Sequence, residues 1–174
     1  LLGGFKTLFQ KGEKVLLKPN LLVPAEPEKA ITTHPVVFQA IAELCIEAGL
    51  KVTWGDSPAL GFTSRAAKKA GLFSVAEKLK IKQADFANSV DVPFDEGKAF
   101  KRFQIAAGVH ESDAVISLSK MKPHGLMKIT GAIKNQYGCL PGLQKGQHHL
   151  RLAARNDFAS MLVDLTRLIK PRLY

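Results

Sequence analysis

The chain has 174 residues, 46% of them hydrophobic and 23% charged, enough for one domain with a real core and too few for two independent ones. That composition excludes a disordered chain, and the longest apolar runs, such as 36–42, fall short of a membrane-spanning helix. Lys and Arg outnumber Asp and Glu by 25 to 15, a formal net charge of +10, so the field of the whole molecule draws anions.

Residues 13–18 (EKVLLK) are a short apolar run closed by Pro19 and Asn20, which predicts a buried strand opening into a loop. A helix follows, with Thr33 or His34 near its N-cap and Pro35 in its first turn, running through Val37, Ala40, Ile41 and Leu44 to a stop at Gly49. Residues 50–54 give the next strand and complete a β-α-β unit, whose parallel strands require a sheet covered on both faces. A second helical stretch over 63–79 is broken near Gly71, and a short strand is expected near 81–86. A hairpin strand over 98–105 alternates Phe100, Arg102 and Gln104 with Lys101, Phe103 and Ile105, and a strong strand stands at 114–118. The last helix, 157–169, sets Phe158, Met161, Leu162, Leu165 and Leu168 on one face. This alternation predicts a single α/β domain over 1–174, a parallel or mixed sheet with helices on both faces and Rossmann-like layering. After Lys170 and Pro171 an apolar strand begins and is not completed, so the expectation is the N-terminal half of a larger protein, truncated at its C-terminus. No basic, apolar leader opens the sequence, and a cytoplasmic location without membrane contact is expected.

In open parallel sheets, ligands bind beyond the carboxyl ends of the strands. Lys18-Pro19-Asn20, Gly55-Asp56-Ser57-Pro58 and the segment after Leu118 occupy such ends. Between Asp113 and Asp157 there is no Asp or Glu, while Lys120, Lys122, Lys128, Lys134, Lys145, Arg151 and Arg155 stand with His124, His148 and His149. A surface free of competing carboxylates is what an anion site needs, which makes 119–151 the expected working segment. Within it, 130–135 reads as a helix start in which Gly131 lets backbone N–H groups approach a ligand and Lys134 projects one turn later. It lacks the Gly-Lys-Ser/Thr ending of a Walker A loop.

His124 and Lys134 are the candidate catalytic residues. Lys18, Asn20, His34, Asp56, Ser57, Lys122, Thr130, Gly131 and Asn135 are the candidate binding residues, and no metal ligand is assigned. Each has a plainer alternative: a solvated lysine face for Lys120, Lys122 and Lys145, a helix cap for His34, an Asx turn for Asp56 and Ser57. His148 and His149 are adjacent, point in different directions and suit one metal poorly. Cys45 and Cys139, the two cysteines, give no disulfide framework and cannot alone hold zinc or an iron–sulfur cluster. Cys139 is either a packed core residue or a thiol activated by nearby cations.

Taken in order, Leu16-Leu17-Lys18-Pro19-Asn20-Leu21, Thr32-Thr33-His34-Pro35, Gly55-Asp56-Ser57-Pro58, Asp113 to Ile116, Lys120-Met121-Lys122-Pro123-His124, 130–135 and 138–142 resemble the domain of unknown function 362 family. Many members of that family carry or neighbour ferredoxin-like four-cysteine modules, so the resemblance implies an iron–sulfur or redox context, with an iron–sulfur module or a second half as partner. More distantly, Pro123-His124, Thr130-Gly131, Lys134 and Pro141-Gly142 resemble the N-terminal domain of the lactate racemase family. That likeness implies that Lys134 anchors a nickel-pincer nucleotide and that His124 serves proton transfer, although the family's Gly-His-Arg segment has no counterpart here.

The expected function is an enzyme or cofactor-handling domain that holds an anionic, phosphate- or carboxylate-bearing small molecule at the strand ends, its cofactor unknown. The alternative is a nucleic-acid-binding protein using the basic 119–151 segment, although Tyr137 is the only aromatic ring there on which a base could stack. A third reading is a scaffold piece that only docks the second half.

Overall fold

The computed structural model describes residues 3–58, 63–125, 127–142 and 155–174. A one-turn helix, α1 (Phe5–Leu8), leads into β1 (Lys14–Pro19). The chain continues through α2 (Pro35–Glu47), β2 (Lys51–Trp54), α3 (Thr63–Lys69), α4 (Leu72–Lys78) and β3 (Lys82–Gln83). Then come β4 (Ser89–Pro93), β5 (Arg102–Ala106), α5 (Ala107–His110), β6 (Ala114–Leu118), β7 (Lys122–His124) and β8 (Lys128–Thr130). After these, α6 (Ala132–Asn135) runs into a 3-10 turn over Gln136–Cys139, and α7 (Arg155–Ile169) follows.

The main sheet has the order β3-β2-β1-β6, and every pairing in it is parallel. β1 lies inside the sheet, and its last five residues are all buried, as an apolar run without alternation requires when both faces are covered. Val15 and Leu17 join Ile116, Trp54 and the buried faces of α2, α3 and α4 on one side. Leu16 and Val115 join Phe103 and Ile105 of β5 and the Phe158, Met161, Leu162 and Leu165 face of α7 on the other. Successive strand residues point to opposite faces, so one apolar strand nucleates two cores, and the predicted α/β layering with helices on both faces is what forms. Leu173 adds a parallel bridge to Ile116, with the Ser117 N–H donating to Leu173 O at 2.8 Å. Among the described residues no helix is long and apolar enough to cross a membrane.

Some local expectations shift. The buried face of α2 is Phe38, Ala42 and Cys45, while Val37, Ala40 and Leu44 face solvent; the larger Phe38 ring, packed edge-on against Trp54 at 5.7 Å, sets the rotation of the helix. The break at Gly71 falls where expected, with φ of +75°, a conformation that favours glycine. The strand near 81–86 shrinks to the two residues of β3. In the hairpin, Phe103 and Ile105 point inward and Arg102 and Gln104 outward, as the alternation predicts, but its partner β4 had no sequence expectation. Neither did the small β7–β8 hairpin.

Candidate functional site

At the carboxyl end of β1, Lys18 follows Leu17 into the face that carries Leu16 and is fully buried. Its ammonium donates to Asp56 Oδ1 at 2.7 Å, to Pro19 O at 3.3 Å and to Asn135 Oδ1 at 3.5 Å. Asp56, at the carboxyl end of β2, also accepts the N–H groups of Leu21 at 2.7 Å and Ser57 at 3.0 Å. A buried ion pair offsets its desolvation only when the remaining donors and lone pairs are largely filled, and here all three Lys18 donors and both Asp56 oxygens have partners. The two charges cancel, so the floor of the site is rigid and neutral.

Asn135 ties that floor to β6. Its Oδ1 accepts from Lys18 and from Asn20 Nδ2 at 3.2 Å, while its Nδ2 donates to Ser117 Oγ at 3.0 Å and Lys18 O at 3.3 Å. Gln136 Nε2 reaches the same Ser117 hydroxyl at 2.8 Å. Gly138 closes the floor from above: a Cβ there would lie 1.8 Å from Asp56 Oδ1 and 2.5 Å from Lys18 Nζ, so no side chain fits.

Over this floor opens a pocket of about 190 Å³, lined by Asn20, Leu21, Leu22, Asp56, Ser57, Pro58, Lys122, Pro123, His124, Thr130, Lys134, Asn135, Tyr137 and Gly138. The β7–β8 hairpin supplies one wall. In its register Lys122 faces Thr130 and His124 faces Lys128, so Lys122, His124 and Thr130 share the face opposite the one carrying Pro123 and Ile129. Lys122 Nζ donates to Asn20 Oδ1 and to Ile31 O at 2.6 Å. Lys134 Nζ sits over the Tyr137 ring at 6.0 Å and has no carboxylate or other hydrogen-bond acceptor among the described residues. His124 Nδ1 accepts the Met127 N–H at 3.2 Å, which leaves Nε2 to carry the proton of the neutral ring. Thr130 is 2% exposed, and its hydroxyl is buried without a hydrogen-bond partner, a state that costs free energy unless something fills it.

The electrostatics follow from this placement. Burial, then the Lys134 charge, lower Lys122 to about 8, with Asp56 opposing and Lys120 adding to the effect. Burial also lowers Lys134. Among the described residues, Asp56 is the only carboxylate lining the pocket, and it is committed to Lys18. Among the described residues, Lys122 and Lys134 therefore bring positive charge without a carboxylate ion-pair partner to a pocket that also holds a buried, unsatisfied hydroxyl, an arrangement complementary to an anion.

Of the sequence candidates, Asn20, Asp56, Ser57, Lys122, His124, Thr130, Lys134 and Asn135 line this pocket, and Lys18 lies directly beneath it. Gly131 and His34 are not among the lining residues. Gly131 is the N-cap of the four-residue α6 in an extended conformation open to any residue. His34 is the N-cap of α2, and its side chain accepts the Val36 N–H at 3.3 Å. Gly138 and Tyr137 carry more of the site than their sequence context indicated; Gly138, sitting between Tyr137 and Cys139 in an otherwise buried turn, was the available signal. Cys139 and Cys45 are both fully buried, in cores on opposite faces of the sheet, and burial pushes the Cys45 thiol up to about 12. Lys145, His148, His149 and Arg151 lie outside the described residues.

Comparison with known proteins adds a family and one relative. The sequence pattern described as a domain of unknown function (DUF362) matches residues 15–174. The thylakoid-associated protein sll1697 of Synechocystis sp. is 34% identical over 173 residues, which cover 99% of this chain and 53% of that protein. The chain thus spans about half the length of this curated relative. No solved structure matches it.

Proposed function

The chain belongs to the domain of unknown function (DUF362) family, and we propose that it binds a small anionic ligand, carrying a phosphate or a carboxylate, in the pocket beyond β1, β2 and β6. The observation that carries this reading is the pairing of two lysines that form no ion pair with a carboxylate among the described residues, Lys122 and Lys134, with the unsatisfied Thr130 hydroxyl in one pocket. Lys122 is pre-oriented by Asn20 and Ile31, which lowers the cost of ordering it around a ligand. Thr130 supplies a donor whose burial is offset only when an acceptor arrives. His124, on the same wall, is the group placed to give or take a proton from what is bound there. The pocket volume, close to that of a cavity that holds a benzene-sized molecule, selects a small ligand or one end of a larger one.

The donor set also limits the cofactor. Among the described residues no three His, Cys, Asp or Glu side chains converge to hold a metal ion, and the pocket offers one imidazole beside two lysines that repel cations. The nickel-bearing nucleotide implied by the likeness to lactate racemases does not fit these residues. An iron–sulfur or redox context enters the proposal through a partner, and a cytoplasmic location remains part of it; the relative's printed thylakoid association makes membrane-surface fractionation the other outcome of a cell-fractionation test.

Thermal-shift titration of the wild type and Lys134→Met against phosphate esters, carboxylates and short RNA tests the reading. A small anion that raises the melting temperature of the wild type and not of the variant supports it. A shift with RNA alone, or equal shifts in both proteins, rejects it.

A further inference from the structure

The two lysines of the pocket are not equivalent. Lys122 is held by two acceptors, Asn20 Oδ1 and Ile31 O. Lys134 has none among the described residues; it is half-buried and rests against the face of Tyr137. An amine that is partly desolvated, in a pocket that also holds a second lysine, and without an acceptor among the described residues has the environment in which lysine becomes a nucleophile toward carbonyl carbon. Burial disfavours the ammonium form, and the lack of an acceptor among the described residues leaves the nitrogen lone pair uncommitted once the proton departs.

We propose that Lys134 forms a Schiff base with an anionic carbonyl compound, a 2-oxo acid or a phosphorylated aldehyde, whose charged group is held by Lys122 and Thr130. This rests on the anion-binding reading and names the substrate class within it. In the step itself the neutral Lys134 amine adds to the carbonyl carbon, and the C=O π bond opens to give a carbinolamine after transfer of the amine proton to oxygen. Loss of water then breaks the C–O bond and forms the C=N bond, so amine and carbonyl give imine and water with no oxidant or reductant. His124 lines the same pocket and, among the described residues, is the imidazole that in its protonated form can pass a proton to the departing hydroxyl and be left neutral. The Lys134 direction agrees, since burial already lowers its proton affinity. Lys18 stays out of this chemistry: it is buried under the floor with its charge paired to Asp56.

The test incubates the full chain with pyruvate, or with neutral acetone at equal concentration, in the presence of cyanoborohydride, and maps reduced adducts by peptide mass spectrometry. Inorganic phosphate is titrated in parallel by thermal shift. The expected result is a pyruvate adduct at Lys134 ahead of the other lysines, none with acetone, suppression by phosphate, and loss of the adduct in Lys134→Arg, a variant that keeps the charge. Phosphate binding that is lost in Lys122→Met, together with no preferred adduct at Lys134, overturns the Schiff-base inference and leaves the anion site standing. Absence of phosphate and pyruvate binding altogether overturns both. Labelling spread evenly over surface lysines, by either carbonyl, also overturns the inference, because the pocket then confers no selectivity.

Discussion

Single atoms decide two properties of the site. Gly138 is there because nothing larger fits over the Lys18–Asp56 pair. Gly138→Ala would drive a methyl to 1.8 Å from Asp56 Oδ1 and force apart a buried pair, an event that costs on the order of 3–5 kcal/mol when one charge is left uncompensated. Urea denaturation should show that loss, and a change below about 1 kcal/mol would mean the floor relaxes without breaking the pair. Lys122 gives the pH dependence. Its ammonium is lowered from 10.5 to about 8 by burial and by the charges of Lys134 and Lys120, against Asp56, itself paired with Lys18; His124 faces the same space. Between those two pH values the unfolded chain keeps a proton that the folded chain has released, so stability of the ligand-free protein should rise with pH across the window. Anion affinity should move the opposite way and fall as pH passes about 8, because the charged form is the one that binds. Denaturant titrations with and without phosphate, on wild type and Lys122→Met, separate the two trends; equal slopes in both proteins would remove Lys122 from the account.

At the scale of elements, the central strands were legible and the hairpin that completes the site was not. β1 and β6 are continuous apolar runs ended by polar or loop residues, a pattern with one good physical solution, a strand covered on both faces. The helix over 63–79 announced its own break through Gly71. β7 and β8 are three residues each and begin with lysine, and β7 contains Pro123, so neither period nor propensity marks them; only their register with one another puts Lys122, His124 and Thr130 on one wall. The acid-free stretch supplies several residues that line the candidate pocket, but its composition does not say which of its cations face inward. A two-stranded hairpin is marginal by itself. Its amides should therefore exchange with solvent well before those of β1 and β6, and should slow when phosphate or pyruvate binds, by hydrogen-exchange mass spectrometry. His34 belongs to a different element and role: as an exposed N-cap of α2 that accepts the Val36 N–H at 3.3 Å, its replacement by Ala should cost on the order of 0.5 kcal/mol of stability, the low end of N-cap losses, and leave ligand affinity unchanged.

For the whole molecule, the net charge of +10 poses the choice between a general polyanion surface and a defined pocket, and salt separates the two. An RNA bound across exposed lysines would release counterions from many phosphates, and its affinity would fall on the order of 10³-fold between about 50 and 200 mM salt. A small anion enclosed by Lys122, Lys134 and Thr130 is screened far less, because its partners are partly or wholly removed from solvent. The net charge also accelerates encounter in either case, so on-rate alone does not discriminate. Lys134→Met changes the total charge by one unit in ten and should leave RNA affinity nearly untouched, whereas it removes one of the two cations at the pocket. If titrations at two salt concentrations show a shallow salt dependence for phosphate or pyruvate that depends on Lys134, the charge of this chain serves one pocket at the strand ends. A steep dependence that ignores Lys134 would instead assign the charge to an extended surface and make the pocket incidental to it.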